Sequence, residues 1–315
     1  MPCTRPLRMY WTGNYTANGK KEYVFKDPGK AYGYIDVDCG QCMSCRLKKS
    51  RETAVRAVHE SKSYEKNCFI TLTVDDAHME QVFPGGGLNH RPFQLFMKKL
   101  RKNFEGFTEV VHPMTGKKVK PIRVLMCGEY GELLMRPHYH ACLFNFDFDD
   151  KYLFRTVGTV KLYRSPTLEK LWSYGFSTIG EVNFDSACYL ARYVTKKITG
   201  DMSDDHYFNP TTGEIMKKEY IQFPRGYGLG RLFYEQYGEQ WFEQDLVRTE
   251  KGFKMKPPKY YERIYDLDQP EKLEQIKKKR IRKALENKED LSMDRMATIE
   301  RVQKAKQEFY TKRKI

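Results

Sequence analysis

Two apolar-rich segments separated by a polar turn are the feature that most restricts how this chain can fold. The turn contains a glycine and a proline, a pattern typical of a β-hairpin with a long loop. Because alternate side chains of a strand share one face, His138 and His140 of the second segment point the same way. If the strands pair symmetrically about the loop, Glu129 of the first segment lies opposite His138. The hairpin therefore predicts a three-ligand metal site with open coordination positions.

Other interpretations of this hairpin stay open. With 7 histidines among 315 residues, a His-x-His triplet arises by chance in roughly one such chain in seven. Two histidines and one carboxylate also suit zinc hydrolases and iron oxygenases. A slip of one residue in the register would turn Glu129 away from the histidines, which makes Glu132 the alternative third ligand.

An uninterrupted run after residue 184 predicts a helix, with Asp185 as its N-cap and Gly200 as its stop. Tyr189 and Tyr193 are four residues apart, so they are neighbours on one face of that helix. Two lysines follow within a turn: Lys196 and Lys197. Tyrosines at this spacing usually pack in a core or an interface. Beside lysines, in a chain with a His-x-His strand, they suggest a catalytic nucleophile instead.

Three motifs resemble, in their order and approximate spacing, those of the HUH endonucleases, which are rolling-circle replication initiators. The motifs are Phe69-Ile70-Thr71-Leu72-Thr73, Arg136-Pro137-His138-Tyr139-His140 and Tyr189-x-x-x-Tyr193-x-x-Lys196. From Cys3 to about Tyr265 the chain is similar, more closely, to the replication initiation proteins of gokushoviruses, which are single-stranded DNA phages of the Microviridae. The segments that carry this wider resemblance are Cys39-Gly40-Gln41-Cys42-Met43-Ser44-Cys45-Arg46, Gly128-Glu129-Tyr130-Gly131-Glu132 and Lys256-Pro257-Pro258-Lys259-Tyr260-Tyr261.

The resemblance implies an enzyme that nicks a single-stranded DNA origin, forms a 5′-phosphotyrosine and rejoins the strand to release circular DNA. Tyr189 and Tyr193 would be the alternating nucleophiles, and Lys196 or Lys197 would assist them. The hairpin ligands would hold Mg²⁺ or Mn²⁺. The implied partners are the replication origin and a host polymerase and helicase, and the implied location is the cytoplasm of the bacterial host.

The order of the predicted elements between residues 67 and 200 is strand, helix, two hairpin strands, helix, strand and helix. This order predicts an α+β fold with an antiparallel sheet packed against helices. The resemblance implies the same architecture, a ferredoxin-like or RRM-like HUH core. We expect four segments: a Cys-rich segment with a basic helix at 1–66, the endonuclease core at 67–200, an aromatic and glycine-rich extension at 201–265, and a basic helical tail at 266–315.

Three cysteines near the N-terminus have C-x2-C-x2-C spacing, Cys39, Cys42 and Cys45, and Cys3 is a candidate fourth ligand. Four thiolates would form a closed structural zinc site. Unmetallated thiols and an iron–sulfur cluster are the alternatives, although no cysteine or proline follows where a cluster motif requires it. The other four cysteines lie in apolar segments and are predicted to be small core residues: Cys68, Cys127, Cys142 and Cys188.

A net charge of +15, from 56 basic and 41 acidic residues, favours a polyanionic partner, and nucleic acid is the usual one. A membrane partner is not expected, because we find no long apolar span, basic leader or lipidation motif. Residues 271–315 contain 15 basic and 8 acidic side chains, which predicts a helical arm that either binds DNA or is simply solvated. The rival to an enzyme is a non-catalytic protein with a zinc knuckle that coats single strands through its aromatic side chains.

A glycine-rich segment could also cradle phosphate: Arg225-Gly226-Tyr227-Gly228-Leu229-Gly230-Arg231. The chain contains no G-x-x-x-x-G-K-[ST] motif, so we predict neither ATPase nor helicase activity. A glycine-rich turn that precedes a helix is the favoured interpretation of this segment.

Overall fold

The structure of the chain is a computed structural model. It describes residues 3–104, 110–111, 118–119, 122–131, 134–196, 203–210, 212–249, 252, 254–286 and 292–312. The side chains at 110–111, 118–119, 193–196 and 307–312 are not part of this description.

The described chain contains both strands and helices. The strands are β1 (Leu7–Tyr15), β2 (Lys21–Val24), β3 (Tyr34–Val37), β4 (Asn67–Leu72), β5 (Val110–Val111), β6 (Lys118–Val119), β7 (Arg123–Tyr130), β8 (Pro137–Phe144), β9 (Tyr152–Val157), β10 (Val160–Arg164), β11 (Ser177–Gly180), β12 (Tyr220–Gln222), β13 (Val247–Arg248) and β14 (Lys254–Met255). The helices are α1 (Met43–Ser61), α2 (Met79–Val82), α3 (Arg91–Asn103), α4 (Pro166–Leu171), α5 (Phe184–Lys196), α6 (Ser203–Tyr207), α7 (Arg231–Tyr237), α8 (Glu239–Glu243), α9 (Lys259–Asp268), α10 (Pro270–Glu286) and α11 (Met293–Lys312), and a 3₁₀ turn lies at Pro84–Gly86.

The chain divides into two compact units. One unit combines Met1–Lys49 with Glu274–Ile315, and the other is Ser50–Leu273. The division into four segments that we expect from the sequence stays a prediction.

The larger unit is built on a seven-stranded sheet with the order β12-β7-β8-β4-β11-β10-β9. Every pairing in this sheet is antiparallel. Its four central strands follow the chain order β4-α3-β7-β8-α4-β11 and the spatial order β7-β8-β4-β11, which is the βαββαβ arrangement of ferredoxin-like folds. The predicted α+β class, an antiparallel sheet packed against helices, is confirmed.

Both faces of the central strands are covered, because alternate residues of each strand enter different cores. Ile70, Met126 and Tyr139 belong to the core that also contains the apolar side of α3. Cys142 belongs to the opposite core, together with Leu190 of α5. The sheet therefore holds α3 on one side and α5 on the other, and the side chains of Glu129, His138 and His140 lie on the α5 side.

The predicted core cysteines are buried. Cys68, Cys127 and Cys142 have no exposed surface, and Cys188 is half-buried against the core on the α5 side. Burial raises the pKa of the Cys68 thiol and raises that of Cys142 to about 12. Both thiols are therefore protonated at neutral pH and behave as small apolar groups.

The glycine-rich segment is a turn before helix α7, as predicted. The buried Glu60 carboxylate pairs with the Arg123 guanidinium and accepts the N–H of Gly230 at 2.6 Å. Gly230 has φ +73°, and a Cβ there would lie 2.9 Å from the carbonyl oxygen of Arg56. Only glycine fits this position without strain. The N–H of Gly230 donates to the Glu60 carboxylate, so it is not available to bind a phosphate.

The smaller unit contains a three-stranded sheet with the order β2-β1-β3 and the C-terminal helix α11. The Ser44 hydroxyl donates to the Gln303 side-chain oxygen at 3.0 Å, and both residues are buried. Arg5 pairs with Glu300 at 2.9 Å. These contacts hold helix α11 against the N-terminal Cys-rich segment. The basic C-terminal region is thus helical, as expected.

Candidate functional site

The candidate metal ligands come together through the pairing of β7 with β8. Glu129 lies opposite His138, and Cys127 lies opposite His140. This is the register that symmetric pairing about the loop predicts. One potential ligand atom from each of Glu129, His138 and His140 lies within 4.8 Å of the other two. The alternative ligand Glu132 lies outside the described residues.

A single carboxylate oxygen is the point on which the site converges. Oε1 of Glu129 lies 2.6 Å from Nε2 of His138 and 3.0 Å from Nε2 of His140. Glu129 is only 2% exposed, and its Oε2 has no hydrogen-bond partner among the described residues. Burial on its own would raise the pKa of this carboxyl, but the bonds to both histidines outweigh burial and lower it. The group is therefore an ionised carboxylate at neutral pH.

The hydrogen bond at Nδ1 of His138 leaves its Nε2 facing the carboxylate. Its Nδ1 lies 3.0 Å from the backbone carbonyl of Arg136, which is only an acceptor, so Nδ1 carries the proton. In a neutral imidazole Nε2 then presents a lone pair towards the Glu129 carboxylate. Two acceptors at this distance repel each other unless His138 is doubly protonated or a cation binds both. An imidazole fixed through its second nitrogen is the usual form of a metal ligand.

Strand β4 holds the second histidine from the other side. Thr71 pairs with His140 in the sheet, and its Oγ1 lies 2.9 Å from Nδ1 of that histidine. The Phe69 ring stacks on the His140 ring with centroids 5.6 Å apart. These contacts direct Nε2 of His140 towards Glu129. Sequence reasoning identified the 69–73 segment as a motif but assigned no role to either residue.

Helix α5 places Tyr189 beside these ligands. The ring of Tyr189 meets the ring of His140 edge to face, with centroids 5.1 Å apart. Tyr189 is half-buried and packs against the core on the α5 side of the sheet. The predicted nucleophile and the predicted ligands, which lie in separate parts of the sequence, are therefore in contact.

The start of helix α5 differs from the prediction. The helix begins at Phe184, and Asn183 rather than Asp185 caps it. Oδ1 of Asn183 accepts the N–H groups of Asp185 (3.0 Å) and Ser186 (2.9 Å). The Ser186 hydroxyl accepts the N–H of Asn183 at 2.9 Å in return. Reciprocal bonds of this kind form a capping box, which fixes the rotation of the helix and hence the place of Tyr189.

The other predicted catalytic residues are only partly covered by the structure. The backbone of α5 is helical through Tyr193 and Lys196, so Tyr193 follows Tyr189 by one turn. The side chains of Tyr193 and Lys196 are not described, and Lys197 and Gly200 lie outside the described residues. Their roles stay predictions.

The four N-terminal cysteines form a second cluster. One Sγ from each of Cys3, Cys39, Cys42 and Cys45 lies within 4.8 Å of the others, and those of Cys3 and Cys42 are 3.7 Å apart. In a tetrahedral site with Zn–S bonds of about 2.3 Å, two sulfur atoms are about 3.8 Å apart. The cluster therefore has the dimensions of a four-thiolate metal site.

Backbone N–H groups point at the sulfur atoms of this cluster. Cys3 Sγ accepts the N–H of Cys39 at 3.3 Å, and Cys39 Sγ accepts the N–H groups of Gln41 and Cys42 at 3.4 and 3.2 Å. Burial acts to raise the pKa of the Cys42 thiol, but hydrogen bonds that include the Cys45 N–H lower it to about 6. The pKa values of Cys3 and Cys45 are raised, chiefly by burial, so within this cluster the hydrogen bonds favour the thiolate at Cys42.

Among the residues that the structure describes, no helix combines the length and the apolar character needed to cross a bilayer.

Comparison with known proteins adds an independent finding. The family described as "Replication-associated protein ORF2/G2P" matches residues 67–198. Replication-associated protein VP4 of Bdellovibrio phage phiMH2K is 32% identical over 274 residues, which cover 86% of this chain and 79% of that protein. Replication-associated protein ORF2 of Spiroplasma virus 4 is 35% identical over 298 residues, which cover 89% of this chain and 86% of that protein. No solved structure matches.

A third relative matches a smaller part of the chain. Replication-associated protein ORF4 of Chlamydia phage 1 is 32% identical over 166 residues, which are 51% of this chain and 38% of that protein. Strand β4, the β7–β8 hairpin and helix α5, which together form the candidate site, lie within the residues that the ORF2/G2P family matches. The chain belongs to the replication-associated proteins of phages of the Microviridae type.

Proposed function

We propose that the protein initiates replication by nicking and rejoining single-stranded DNA at an origin, with a tyrosine as the nucleophile. The contact between Tyr189 and His140, at 5.1 Å between ring centroids, is the observation that supports this most directly. It brings a phenol to a group of ligands that converges on one point. The charge of +15 supports a polyanionic substrate.

The reaction exchanges one phosphate ester for another. The phenolic oxygen of Tyr189 attacks the scissile phosphorus, and the bond from phosphorus to the 3′-oxygen breaks. The products are a 5′-phosphotyrosine and a free 3′-OH, and the phenolic proton ends on the leaving oxygen by way of solvent. Because the energy of the phosphodiester is retained in the new bond, rejoining needs no ATP. The lack of a P-loop motif in the sequence agrees with this.

The residues of the proposed site have different roles at the scissile phosphate. An ordinary tyrosine has a pKa near 10 and is mostly protonated at pH 7, so its attack needs assistance. A divalent cation such as Mg²⁺ or Mn²⁺, held by Glu129, His138 and His140, would supply Lewis-acid stabilisation of the charge that develops at phosphorus. Thr71 orients His140, and the Arg136 carbonyl orients His138. Lys196 and Lys197 are proposed, from the sequence, to favour the phenolate.

The partners and the location of the protein follow from this function. The free 3′-OH is a primer, so a polymerase must extend it, and a helicase must separate the strands because the chain has no P-loop of its own. We assign both activities to the host, and we place the protein in the cytoplasm of the bacterial host, where these enzymes act on DNA.

A covalent adduct on denaturing gels tests the proposal. Wild-type protein incubated with circular single-stranded origin DNA and Mg²⁺ or Mn²⁺ should form an SDS-resistant protein–DNA complex, and no complex should form without the added ion. Tyr152→Phe is a matched control, since Tyr152 is half-exposed on β9 and is not part of the site. It should form the adduct as the wild type does. If the protein binds the DNA with salt-sensitive affinity but gives no adduct and no nick, it is the non-catalytic binder.

The cysteine cluster is proposed to hold one structural Zn²⁺, separate from the exchangeable ion of the hairpin. Elemental analysis of freshly purified protein should find about one zinc per chain that survives dialysis. Cys42→Ser should lose that zinc and lower the melting temperature, because four-thiolate sites contribute directly to folding. Cys188→Ser, outside the cluster, is the control and should keep the zinc. Stoichiometric iron would indicate a cluster, and no bound metal would leave the thiols as packing residues.

A further inference from the structure

A cavity of about 310 Å³ lies on the α3 side of the large sheet. Helix α3, the first residues of β7 and the segment that follows β12 form its walls. Its basic lining residues include Arg91, Lys98, Arg101 and Arg225, and no lining residue is acidic. The cavity thus collects positive charge from two separate parts of the chain, helix α3 and the segment that follows β12.

The cavity exists because β12 ends early. Its pairing with β7 runs only from Gly128 to Met126, where Gln222 is the last partner. Pro224 has no N–H and cannot extend a β-ladder. Beyond Gln222 the chain therefore leaves β7, and the start of that strand borders open space instead of a neighbouring strand.

The charge in this cavity is not neutralised equally at each position. Arg123 of β7 also borders the cavity, but its guanidinium pairs with the buried Glu60 and lies on the α5 side of the sheet, like the Glu129 side chain of the same strand. Arg101, by contrast, gives its Nη2–H to the Ile122 carbonyl at 3.0 Å, and its buried Nε has no hydrogen-bond partner among the described residues. Burial lowers the pKa of Arg101. A guanidinium that is taken out of water without a carboxylate costs free energy that a bound anion would recover.

Arg225 contributes positive charge from the wall opposite helix α3. The pKa of His90 is lowered mainly by burial and also by the charge of Arg225. Lys98 and Arg91 are exposed at the surface of α3, where they border the cavity. Several cations around a concave site attract phosphate, and guanidinium groups match its geometry.

We propose that this cavity binds a phosphate group of the DNA strand, as a second DNA contact in addition to the metal centre. The proposal rests on the proposed function, since it takes DNA as the substrate. Val124 and Met126 border the cavity, whereas the Glu129 side chain of the same strand is on the α5 side of the sheet. A DNA strand that is held both in the cavity and at the metal centre passes around the β12 edge of the sheet. This contact lets the protein retain DNA while the tyrosine site exchanges ends.

Two variants of equal charge test the proposal. Lys98→Gln with Arg225→Gln removes two cations from the cavity, and Lys99→Gln with Lys102→Gln removes two exposed cations of α3 that do not line it. Binding of a fluorescent single-stranded oligonucleotide is measured by anisotropy at several salt concentrations without added Mg²⁺ or Mn²⁺. The cavity variant should bind about 10-fold more weakly, with a salt slope lower by about 0.7, because one phosphate contact on a single strand contributes about 0.7. The control should change less than about 2-fold.

The outcomes distinguish a phosphate of DNA from that of a free nucleotide, and they test the cavity separately from the proposed nicking activity. Equal weakening of both variants would show a diffuse surface charge and would overturn the proposal. So would tight binding of dATP to the wild-type cavity with no change in DNA affinity in the cavity variant, since the ligand would then be a free nucleotide. If the double variant does not melt cooperatively, Arg225→Gln alone is compared with Lys102→Gln. Because binding is measured without cleavage, a failure to nick DNA leaves this result intact.

Discussion

Replacing His138 and His140 together by alanine should abolish nicking and leave most of the salt-sensitive DNA binding in place. Both imidazoles lie within hydrogen-bond distance of Oε1 of Glu129, so their removal leaves a single ligand and no site for a divalent ion. Loss of the charge stabilisation that such an ion supplies should slow single-turnover cleavage by roughly 10³-fold or more. The measurement is the cleavage rate of an origin oligonucleotide with saturating enzyme and Mn²⁺. Binding by anisotropy is measured in parallel.

The double substitution also disturbs the fold locally, and the controls take this into account. Glu129 is buried, so without its histidine partners it becomes a buried carboxylate with no hydrogen bond, which destabilises the protein. Thermal melting must therefore show that the variant is folded at the assay temperature. His78→Ala with His206→Ala removes two histidines that do not belong to the site. It should cleave at the wild-type rate. Undiminished nicking by the His138 and His140 variant would remove the metal hypothesis.

The hairpin could be predicted in detail because its information is local. A strand has a period of two residues, and one loop joins the two strands, so the register of Glu129 with His138 follows from the sequence alone. The contact of Thr71 with His140 joins residues 69 positions apart. It depends on which strands become neighbours in the sheet, and no local pattern encodes that choice.

The local sequence did not identify the N-cap of helix α5 correctly, because two nearby residues are suitable caps. Asn183 and Asp185 are both good N-caps, and the reciprocal bond with Ser186 favours Asn183. Strands β9 and β10 were not predicted, because every residue of β9 is exposed and the strand has no alternation of apolar and polar positions. The basic cavity combines α3, β7 and the end of β12, so it exists only once the sheet has formed.

Substituting Tyr189 or Tyr193 is also expected to have a large effect on activity. Phenylalanine at Tyr189 or at Tyr193 removes the proposed nucleophile and keeps an aromatic ring at that position. One nucleophile opens a circle, but the enzyme then stays bonded to the 5′ end, and the regenerated origin must be cut while that bond persists. A second tyrosine one helical turn away, about 6 Å along the axis, could make this cut with the same ligands. If the two alternate, each single variant should nick DNA once per enzyme but release no further circles.

Counting released circles per enzyme distinguishes this scheme from its competitor, in which Tyr193 alone reacts and Tyr189 only packs. The double variant should be inert under the alternating scheme, and Tyr152→Phe should turn over normally. The contact of Tyr189 with the ring of His140 places one proposed nucleophile beside the candidate ligands, and the helical backbone at Tyr193 places the other within a turn of it. Multiple turnovers by Tyr189→Phe would nevertheless refute the alternation. The ring contact at His140 would then serve only to support the ligand, and Tyr193 would carry out both cuts.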